Sequence, residues 1–278
     1  MGHEASGTIH AVGSAVETLV PGDRVAIEPG YPCRRCERCK TGRYNLCPKM
    51  KFAADSPKLH GTLTKYFVLP ADFCYKVPET ISLAEAVLIE PLAVAVHAVR
   101  LADAELGQRV VVFGAGTPGL FCAIVAREFG AAEVVCVDIV DRKLRFAQEL
   151  VGDRNNAERL LQQFNLGEAD VAIDASGAEL SMQTAVYVLR MGGTYVQVGM
   201  GKRKIEFPIA EMCEKEITAK GCYRYGPGDF TLGIYLASQG RLRLSEFITN
   251  IFPFEEATEA WETAKRDEGT KTLIRGPV

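Results

Sequence analysis

Apolar and polar positions follow two different patterns along the chain, and the pattern changes near residue 90. Before that point, short β-rich stretches separated by glycine and proline predict the strands of a partly open barrel. These stretches are Gly7–Val12, Asp23–Ile27 and Leu63–Leu69. After it, short apolar runs alternate with stretches of helical periodicity, which predicts a mostly parallel sheet covered by helices.

The second pattern begins with a βαβ unit and continues towards the end of the chain. The predicted elements are, in order, strand Arg109–Phe113, helix Leu120–Phe129, strand Ala132–Val137, helix Arg142–Leu150, helix Ala157–Phe164, strand Ala169–Asp174, helix Leu180–Leu189, strand Gly193–Gly199 and strand Glu216–Gly221. A helix that starts after Gly226 returns the chain to the first domain. We therefore predict a discontinuous domain of residues 1–91 and 226–278, and an α/β domain of residues 92–225.

Composition restricts the function classes. With 278 residues and 47% hydrophobic content, the chain is long enough for two domains with buried cores. Its net charge of −3 provides no basic surface, so we expect no nucleic-acid partner and no binding to anionic membranes. The sequence shows no transmembrane-length apolar run and no signal peptide, which predicts a cytoplasmic protein with no membrane partner.

Four cysteines are closely spaced as C-x2-C-x2-C-x7-C, at Cys33, Cys36, Cys39 and Cys47. Four thiolates leave no open position on a tetrahedral ion, so the spacing predicts a structural zinc site. Disulfides are the alternative. The other five cysteines are scattered singly along the chain, which favours a reducing compartment and therefore zinc.

A glycine-rich G-x-G-x-x-G turn follows the first strand of the βαβ unit and opens its helix. In a dinucleotide-binding turn, Gly114 permits the tight turn, Gly116 lets the backbone approach a pyrophosphate, and Gly119 allows close helix–strand packing. Pro118 costs little in the first helical turn, where its missing N–H would be unpaired. The helix N-terminus then offers N–H groups and partial positive charge to phosphates.

Asp138 follows the next strand and predicts the cofactor. A carboxylate there accepts hydrogen bonds from ribose hydroxyls and repels a 2′-phosphate, so it favours NAD over NADP. Lys143 lies close by in the sequence and is a further candidate for cofactor binding. The alternative for Asp138 is an N-cap of the following helix.

Taken together, several motifs resemble the zinc-dependent medium-chain dehydrogenase/reductase family, and within it the sorbitol/xylitol (polyol) dehydrogenases. They are Gly2–Gly7, Pro21–Gly30, the four-cysteine loop with Gly42–Leu46, Ile89–Val94, the glycine-rich turn, and Arg224-Tyr225. The resemblance implies a Rossmann doubly wound parallel sheet plus a discontinuous GroES-like β-barrel domain. It also implies two cofactors, NAD and zinc, with the zinc at a structural site and a catalytic site.

The resemblance also implies the roles of particular residues. His3, Glu4 and Glu90 match ligands of the catalytic zinc. Arg224 and Tyr225 match residues that face substrate hydroxyls and nicotinamide. The strand end beside the nicotinamide is matched by Val198 and Gly199. Most of these residues also have a plainer interpretation. His3 and Glu4 would form a surface pair, and Glu90 would end a helix. Arg224 and Tyr225 would form a structural ion pair and pack.

The implied activity is NAD-dependent oxidation of a polyol to the ketose, by hydride transfer from a zinc-bound alkoxide. Xylitol is the first candidate for the substrate, and sorbitol and L-arabinitol are the next candidates. The family places another zinc ligand, a cysteine, upstream of the Gly-His-Glu motif, so the chain resembles an N-terminally truncated member. The alternative is therefore an inactive fragment that keeps the structural zinc and NAD affinity. An NADP-dependent aldehyde or quinone reductase and a zinc-ribbon module are more distant alternatives. Family members commonly form homo-oligomers, dimers or tetramers.

Overall fold

The computed structural model describes residues 1–55, 59–145, 169–266 and 268–277. These residues form two compact units. The first unit contains residues 1–93 and 225–278, and the second contains residues 94–224. The interpretation of these units as a catalytic domain and a NAD-binding domain stays a prediction.

Short strands form three small sheets in the first unit. The strands are β1 (Ala5–Thr8), β2 (Arg24–Ile27), β3 (Gly30–Tyr31), β4 (Lys51–Phe52), β5 (Cys74–Lys76), β11 (Ile248–Phe252) and β12 (Lys271–Ile274). An antiparallel sheet has the order β1-β2-β5, β3 pairs antiparallel with β4, and β11 pairs parallel with β12. The middle strand β2 is paired on both edges, and its consecutive residues Val25 and Ala26, which point to opposite faces of the sheet, are both buried.

Two of the strands predicted in the first unit differ from the structure. The strand expected at Gly7–Val12 lies earlier, at Ala5–Thr8, and Leu63–Leu69 forms no strand. Tyr66 is 56% exposed and Val68 is 88% exposed. Phe67 and Leu69, which alternate with them, are half-buried, but within the described residues the stretch is paired with no neighbouring strand.

The helices that begin in the first unit are α1 (Glu37–Lys40), α2 (Leu83–Ala86), α3 (Ile89–Leu101), α7 (Asp229–Ser238) and α8 (Ala257–Lys265). Ser82 and Glu85 form a capping box at the start of α2, which satisfies two backbone N–H groups there. The chain passes from the first unit to the second within α3, between Ala93 and Val94.

The second unit contains a parallel sheet of five described strands with the order β10-β9-β8-β6-β7. The strands are β6 (Arg109–Phe113), β7 (Glu133–Val137), β8 (Ala169–Asp174), β9 (Leu189–Gln197) and β10 (Thr218–Gly221). The central strands are buried along most of their length, which is why their sequences are continuous apolar runs. The predicted Rossmann-type α/β sheet is confirmed, although the strand predicted at Gly193–Gly199 is found at Leu189–Gln197.

The helices of the second unit whose two ends are both described are α4 (Thr117–Glu128), α5 (Glu179–Val188) and α6 (Ile209–Glu214). The helix predicted from residue 142 is seen as helical residues 141–145, and its remainder lies outside the described residues, as does all of Ala157–Phe164. Within the described ranges, no helix is long and apolar enough to cross a membrane.

Candidate metal and cofactor sites

The four loop cysteines converge on one point in the first unit. Their sulfur atoms all lie within 4.8 Å of one another. The Sγ of Cys36 is 3.4 Å from that of Cys39 and 3.8 Å from that of Cys47, and the Sγ of Cys33 is 4.0 Å from that of Cys39. Tetrahedral zinc with bonds of about 2.3 Å needs sulfur atoms about 3.8 Å apart. The residues present therefore fit a tetrahedral Zn²⁺ ion.

The backbone of the loop also favours metal binding. Cys36 precedes α1 and Cys39 lies within it, so one helical turn presents two of the sulfur atoms. Backbone N–H groups of Arg35 and Cys36 lower the pKa of the Cys33 thiol to about 6, which favours the thiolate that zinc needs. At Cys39 burial acts in the opposite direction and raises the pKa of the thiol to about 12. None of the nine cysteines, all of them in described residues, forms a disulfide.

A buried carboxyl group connects the cysteine loop to the sheet. Glu28 follows β2 and is fully buried. Its Oε1 accepts a hydrogen bond of 2.7 Å from the hydroxyl of Tyr44, which lies in the cysteine loop. Its Oε2 accepts one of 2.8 Å from Tyr75 of β5. Sequence reasoning missed this role, because the partner hydroxyls lie 16 and 47 residues away along the chain.

Burial raises the pKa of Glu28 to about 7, although the two tyrosine hydrogen bonds act in the opposite direction. Negative charge on Asp229 and Asp72 adds to the increase. The unfolded chain loses this proton near the ordinary value of 4.5, whereas the folded chain keeps it until about 7. The folded state therefore binds more protons between these values, and its stability falls as the pH rises through that interval.

We expect Glu28→Gln to remove this part of the pH dependence. In the wild type, the Glu28 contribution to the free energy of unfolding should decrease by about 3 kcal/mol between about pH 4.5 and about pH 7. Urea unfolding of both proteins across this range measures the difference. Glu79→Gln, at an exposed position of the same unit, should keep the wild-type slope. Parallel pH profiles for wild type and Glu28→Gln would contradict the assignment.

A second cluster of possible metal ligands contains residues from both ends of the segment 1–93. The ligand atoms of His3, Glu4 and Glu90 all lie within 4.8 Å of one another. His3 and Glu4 lie directly before β1, and Glu90 is in the first turn of α3, where it is 6% exposed. One imidazole and two carboxylates are suitable zinc ligands, and three protein ligands leave a position open for another oxygen. This donor set therefore fits a catalytic type of zinc site.

Three further contacts hold this cluster in place. The carbonyls of Met1 and Gly2 accept hydrogen bonds from the N–H groups of Leu63 and Thr62, at 3.0 and 2.9 Å. The ammonium of Lys271, in β12, forms an ion pair with the carboxylate of Glu4. Sequence reasoning missed Lys271, since no local pattern relates it to a residue at the other end of the chain.

The glycine-rich turn of the second unit has the geometry expected from its sequence. Gly114 has φ of +96°, a left-handed conformation that favours glycine. A Cβ on Gly119 would lie 1.7 Å from the carbonyl oxygen of Gly114, so α4 packs this closely only with glycine there. A Cβ on Gly116 would meet nothing nearer than the Pro118 ring at 4.0 Å, which leaves the backbone there open to a ligand. Pro118 is in the first turn of α4.

Asp138, after β7, faces this turn. Its Oδ2 accepts a hydrogen bond of 2.7 Å from the N–H of Ala115, and its Oδ1 accepts one of 2.9 Å from the N–H of Val140. Val140 precedes the helical residues 141–145, so this second bond closes an Asx-type turn ahead of the helix rather than capping its first turn. A carboxylate has about four acceptor positions, so these bonds leave capacity for ribose hydroxyls. Lys143 lies in the helical turn that follows, and its own N–H donates to the carbonyl of Val140 at 3.0 Å.

The remaining predicted site residues lie at the end of β9 and at the junction of the two units. The N–H groups of Val198 and Gly199 both donate to the carbonyl of Asp174 at 2.8 Å. Arg224 is the last residue of the second unit, with φ of +59° and its guanidinium carbon 4.7 Å from the centre of the Tyr223 ring. Tyr225 belongs to the first unit, where it is 2% exposed and packs edge-on against Phe230.

Comparison with known proteins defines the class. The family profile of the alcohol dehydrogenase GroES-like domain matches residues 1–79, and that of the zinc-binding dehydrogenases matches residues 119–239. These two domains characterise oxidoreductases, and the chain is an enzyme of that class.

Individual relatives narrow the class further. The chain is 54% identical to a protein of Aspergillus terreus named "Probable D-xylulose reductase A", over 99% of this chain and 81% of the relative. It is 53% identical to D-xylulose reductase A of Aspergillus oryzae, over 99% of this chain and 80% of the relative. The crystal structure of L-idonate 5-dehydrogenase from Escherichia coli K-12 superposes with a TM-score of 0.90 at 30% identity, covering 99% of this chain and 81% of that chain.

The chain belongs to the zinc-dependent medium-chain dehydrogenases/reductases, in their polyol dehydrogenase group. It spans about 80% of the length of the fungal relatives. Zinc and NAD, the cofactors expected from the sequence, are those of this family.

Proposed function

We propose that the chain catalyses the NAD-dependent oxidation of a polyol to the corresponding ketose. The substrate we propose first is xylitol, with sorbitol and L-arabinitol next. The observation that carries the proposal is the convergence of His3, Glu4 and Glu90 in a chain about half identical to fungal D-xylulose reductases. Those relatives are named for the reverse direction of xylitol oxidation.

In this proposal the second cluster holds the catalytic metal. Bound Zn²⁺ would polarise a substrate hydroxyl and make its proton easier to remove. Glu4 and Glu90 would supply negative charge to the ion, and His3 a neutral nitrogen. Lys271 would balance the charge of Glu4 and fix the direction of its carboxylate, because a charge-assisted contact restricts the rotamers available to that side chain. The four loop cysteines would hold the second zinc, in a purely structural role.

NAD would occupy the carboxyl edge of the sheet in the second unit. The open backbone at Gly116 and the N-terminus of α4 support a pyrophosphate site at this turn. Asp138 would accept hydrogen bonds from the adenosine ribose and disfavour NADP, whose 2′-phosphate is negative. We further propose that Lys143, Val198, Gly199 and Arg224 contact the dinucleotide, and that Arg224 and Tyr225 also face the polyol.

The test is turnover of the zinc-loaded chain, followed by the formation of NADH. Xylitol, sorbitol and L-arabinitol should be oxidised with NAD⁺, with kcat/KM for xylitol at least about tenfold above that for ethanol. NADP⁺ should support a lower rate than NAD⁺. No turnover with any polyol, in a preparation that contains two zinc ions per chain, would contradict the proposal. One zinc ion and no turnover would instead support the inactive fragment.

Location and assembly stay predictions. Five of the nine cysteines are scattered singly along the chain, which supports a reducing compartment such as the cytoplasm. A homodimer or homotetramer is expected from the family alone.

A further inference from the structure

One buried carboxylate of the second unit, Asp174, belongs to neither of the sites described above. It ends β8, is fully buried, and accepts hydrogen bonds from the turn that follows it. Its Oδ1 receives the N–H of Ser176 at 2.9 Å and the hydroxyl of Ser176 at 2.7 Å. The N–H of Gly177 lies 3.3 Å from Oδ1 and 3.2 Å from Oδ2. One side chain therefore fixes the direction of the turn after β8.

Asp174 is also connected to the end of the neighbouring strand. Its Oδ2 accepts a hydrogen bond of 2.8 Å from Nε2 of Gln197, the last residue of β9. The same Nε2 donates to the carbonyl of Gly199 at 2.6 Å. The main-chain carbonyl of Asp174 accepts the N–H groups of Val198 and Gly199. Asp174 thus holds the loops after β8 and β9 together.

Glycines bring the backbones of these loops into direct contact. A Cβ on Gly199 would lie 2.3 Å from the nitrogen of Gly177, and a Cβ on Gly201 would lie 1.8 Å from its oxygen. A Cβ on Gly114, in the dinucleotide-binding turn, would lie 3.0 Å from the nitrogen of Ser176. The turns after β6, β8 and β9 therefore form one continuous backbone surface.

The strand order indicates which part of a dinucleotide this surface would meet. The glycine-rich turn follows β6, and Asp138 follows β7, the neighbour of β6 on one side. With the adenosine ribose at Asp138 and the pyrophosphate at the turn, the rest of the molecule must extend the other way. On that side lie the ends of β8 and then β9. The nicotinamide half would therefore lie over residues 175–178 and 198–201.

We propose that Asp174 is a positioning residue for the nicotinamide half of NAD. This inference rests on the proposed NAD-dependent function. Asp174 is too deeply buried to touch the cofactor itself, and it acts through the two loops that it joins. Its carboxylate offers acceptors only, which suits the donors that surround it. An asparagine there would turn an N–H₂ group towards Gln197 or Gly177 and leave donors unpaired. The side-chain link between the two loops would then be weakened, while the main-chain bonds from Val198 and Gly199 would remain.

The test compares two probes, NADH and ADP, which share the adenosine and the pyrophosphate and differ in the nicotinamide riboside. In Asp174→Asn, the dissociation constant of NADH should rise at least about tenfold, while that of ADP should change less than about twofold. Asp170→Asn is the matched control at the other end of β8, where Asp170 accepts bonds from the N–H of Arg109 at 2.8 Å and from Nε of Arg190 at 2.6 Å. It should leave both constants within about twofold of the wild type.

If the binding of both probes is weakened equally, Asp174 has a general structural role and the inference is overturned. Unchanged NADH binding would also overturn it. If Asp174→Asn does not fold, Gln197→Met removes the link to β9 at a half-buried position and should give the same difference between the probes. The outcome is separate from that of the proposed function, because failure of the wild type to bind NADH would refute NAD dependence before any variant is compared.

Discussion

Cys36→Ser is expected to lose one zinc ion per chain and a large part of the stability of the first unit. The Sγ of Cys36 lies within 3.8 Å of those of Cys39 and Cys47, so its loss removes one corner of the coordination tetrahedron. Binding of structural zinc in small domains supplies about 10–16 kcal/mol of apparent free energy. In a unit with its own core we expect a smaller loss, about 4 kcal/mol or more, and a Tm lower by roughly 10 °C.

Elemental analysis and calorimetry measure these two effects. Cys213→Ser is the control, because Cys213 is exposed and lies outside the loop. It should keep the zinc content and the Tm of the wild type. A Cys36→Ser protein with unchanged zinc content would show that the loop does not hold the ion. A disulfide within the loop of the native protein would favour the alternative that the cysteine spacing leaves open.

His3→Ala is expected to abolish polyol oxidation while leaving the cysteine-loop zinc in place. Removal of one of three converging ligand groups leaves two carboxylates, too few for tight binding of the catalytic ion. A catalytic metal contributes several kcal/mol to the stabilisation of developing charge, so kcat should fall by a factor of about 10³ or more. The zinc content should fall from two ions per chain to one.

The control for this variant is His60→Ala, at an exposed histidine outside the cluster. It should retain both zinc ions and the activity of the wild type. Full activity of His3→Ala would remove His3 from the proposed catalytic site. Loss of both zinc ions would indicate that the two clusters of the first unit are coupled, contrary to the independent roles proposed for them.

Local sequence patterns predicted the elements whose structure depends on nearby residues. The cysteine spacing predicted the convergence of four sulfur atoms, because one turn of helix and a short loop determine their positions. The glycine-rich turn was predictable for the same reason. The strand Ala169–Asp174 has the bounds expected from its apolar run, since a strand buried on both faces needs such a run.

Features that depend on distant contacts were not predictable from local patterns. The β-rich composition of Leu63–Leu69 predicted a strand, but strand formation also requires a paired neighbour. The tyrosine partners of Glu28 and the glutamine partner of Asp174 come from other strands or loops. The sequence therefore shows a charged residue after an apolar run but not these distant groups. Only the family resemblance predicted that His3 and Glu90 lie close together.

The discontinuity of the first unit has a consequence for the order of folding during synthesis. Residues 94–224 are contiguous, so the second unit is complete as soon as its last strand has left the ribosome. The first unit must wait for residues 225–278, which include Lys271 and the β11–β12 ribbon. Until then Glu4 lacks its lysine partner. The contact between Lys271 and the proposed catalytic cluster can therefore form only late in translation, after the sheet that would receive NAD.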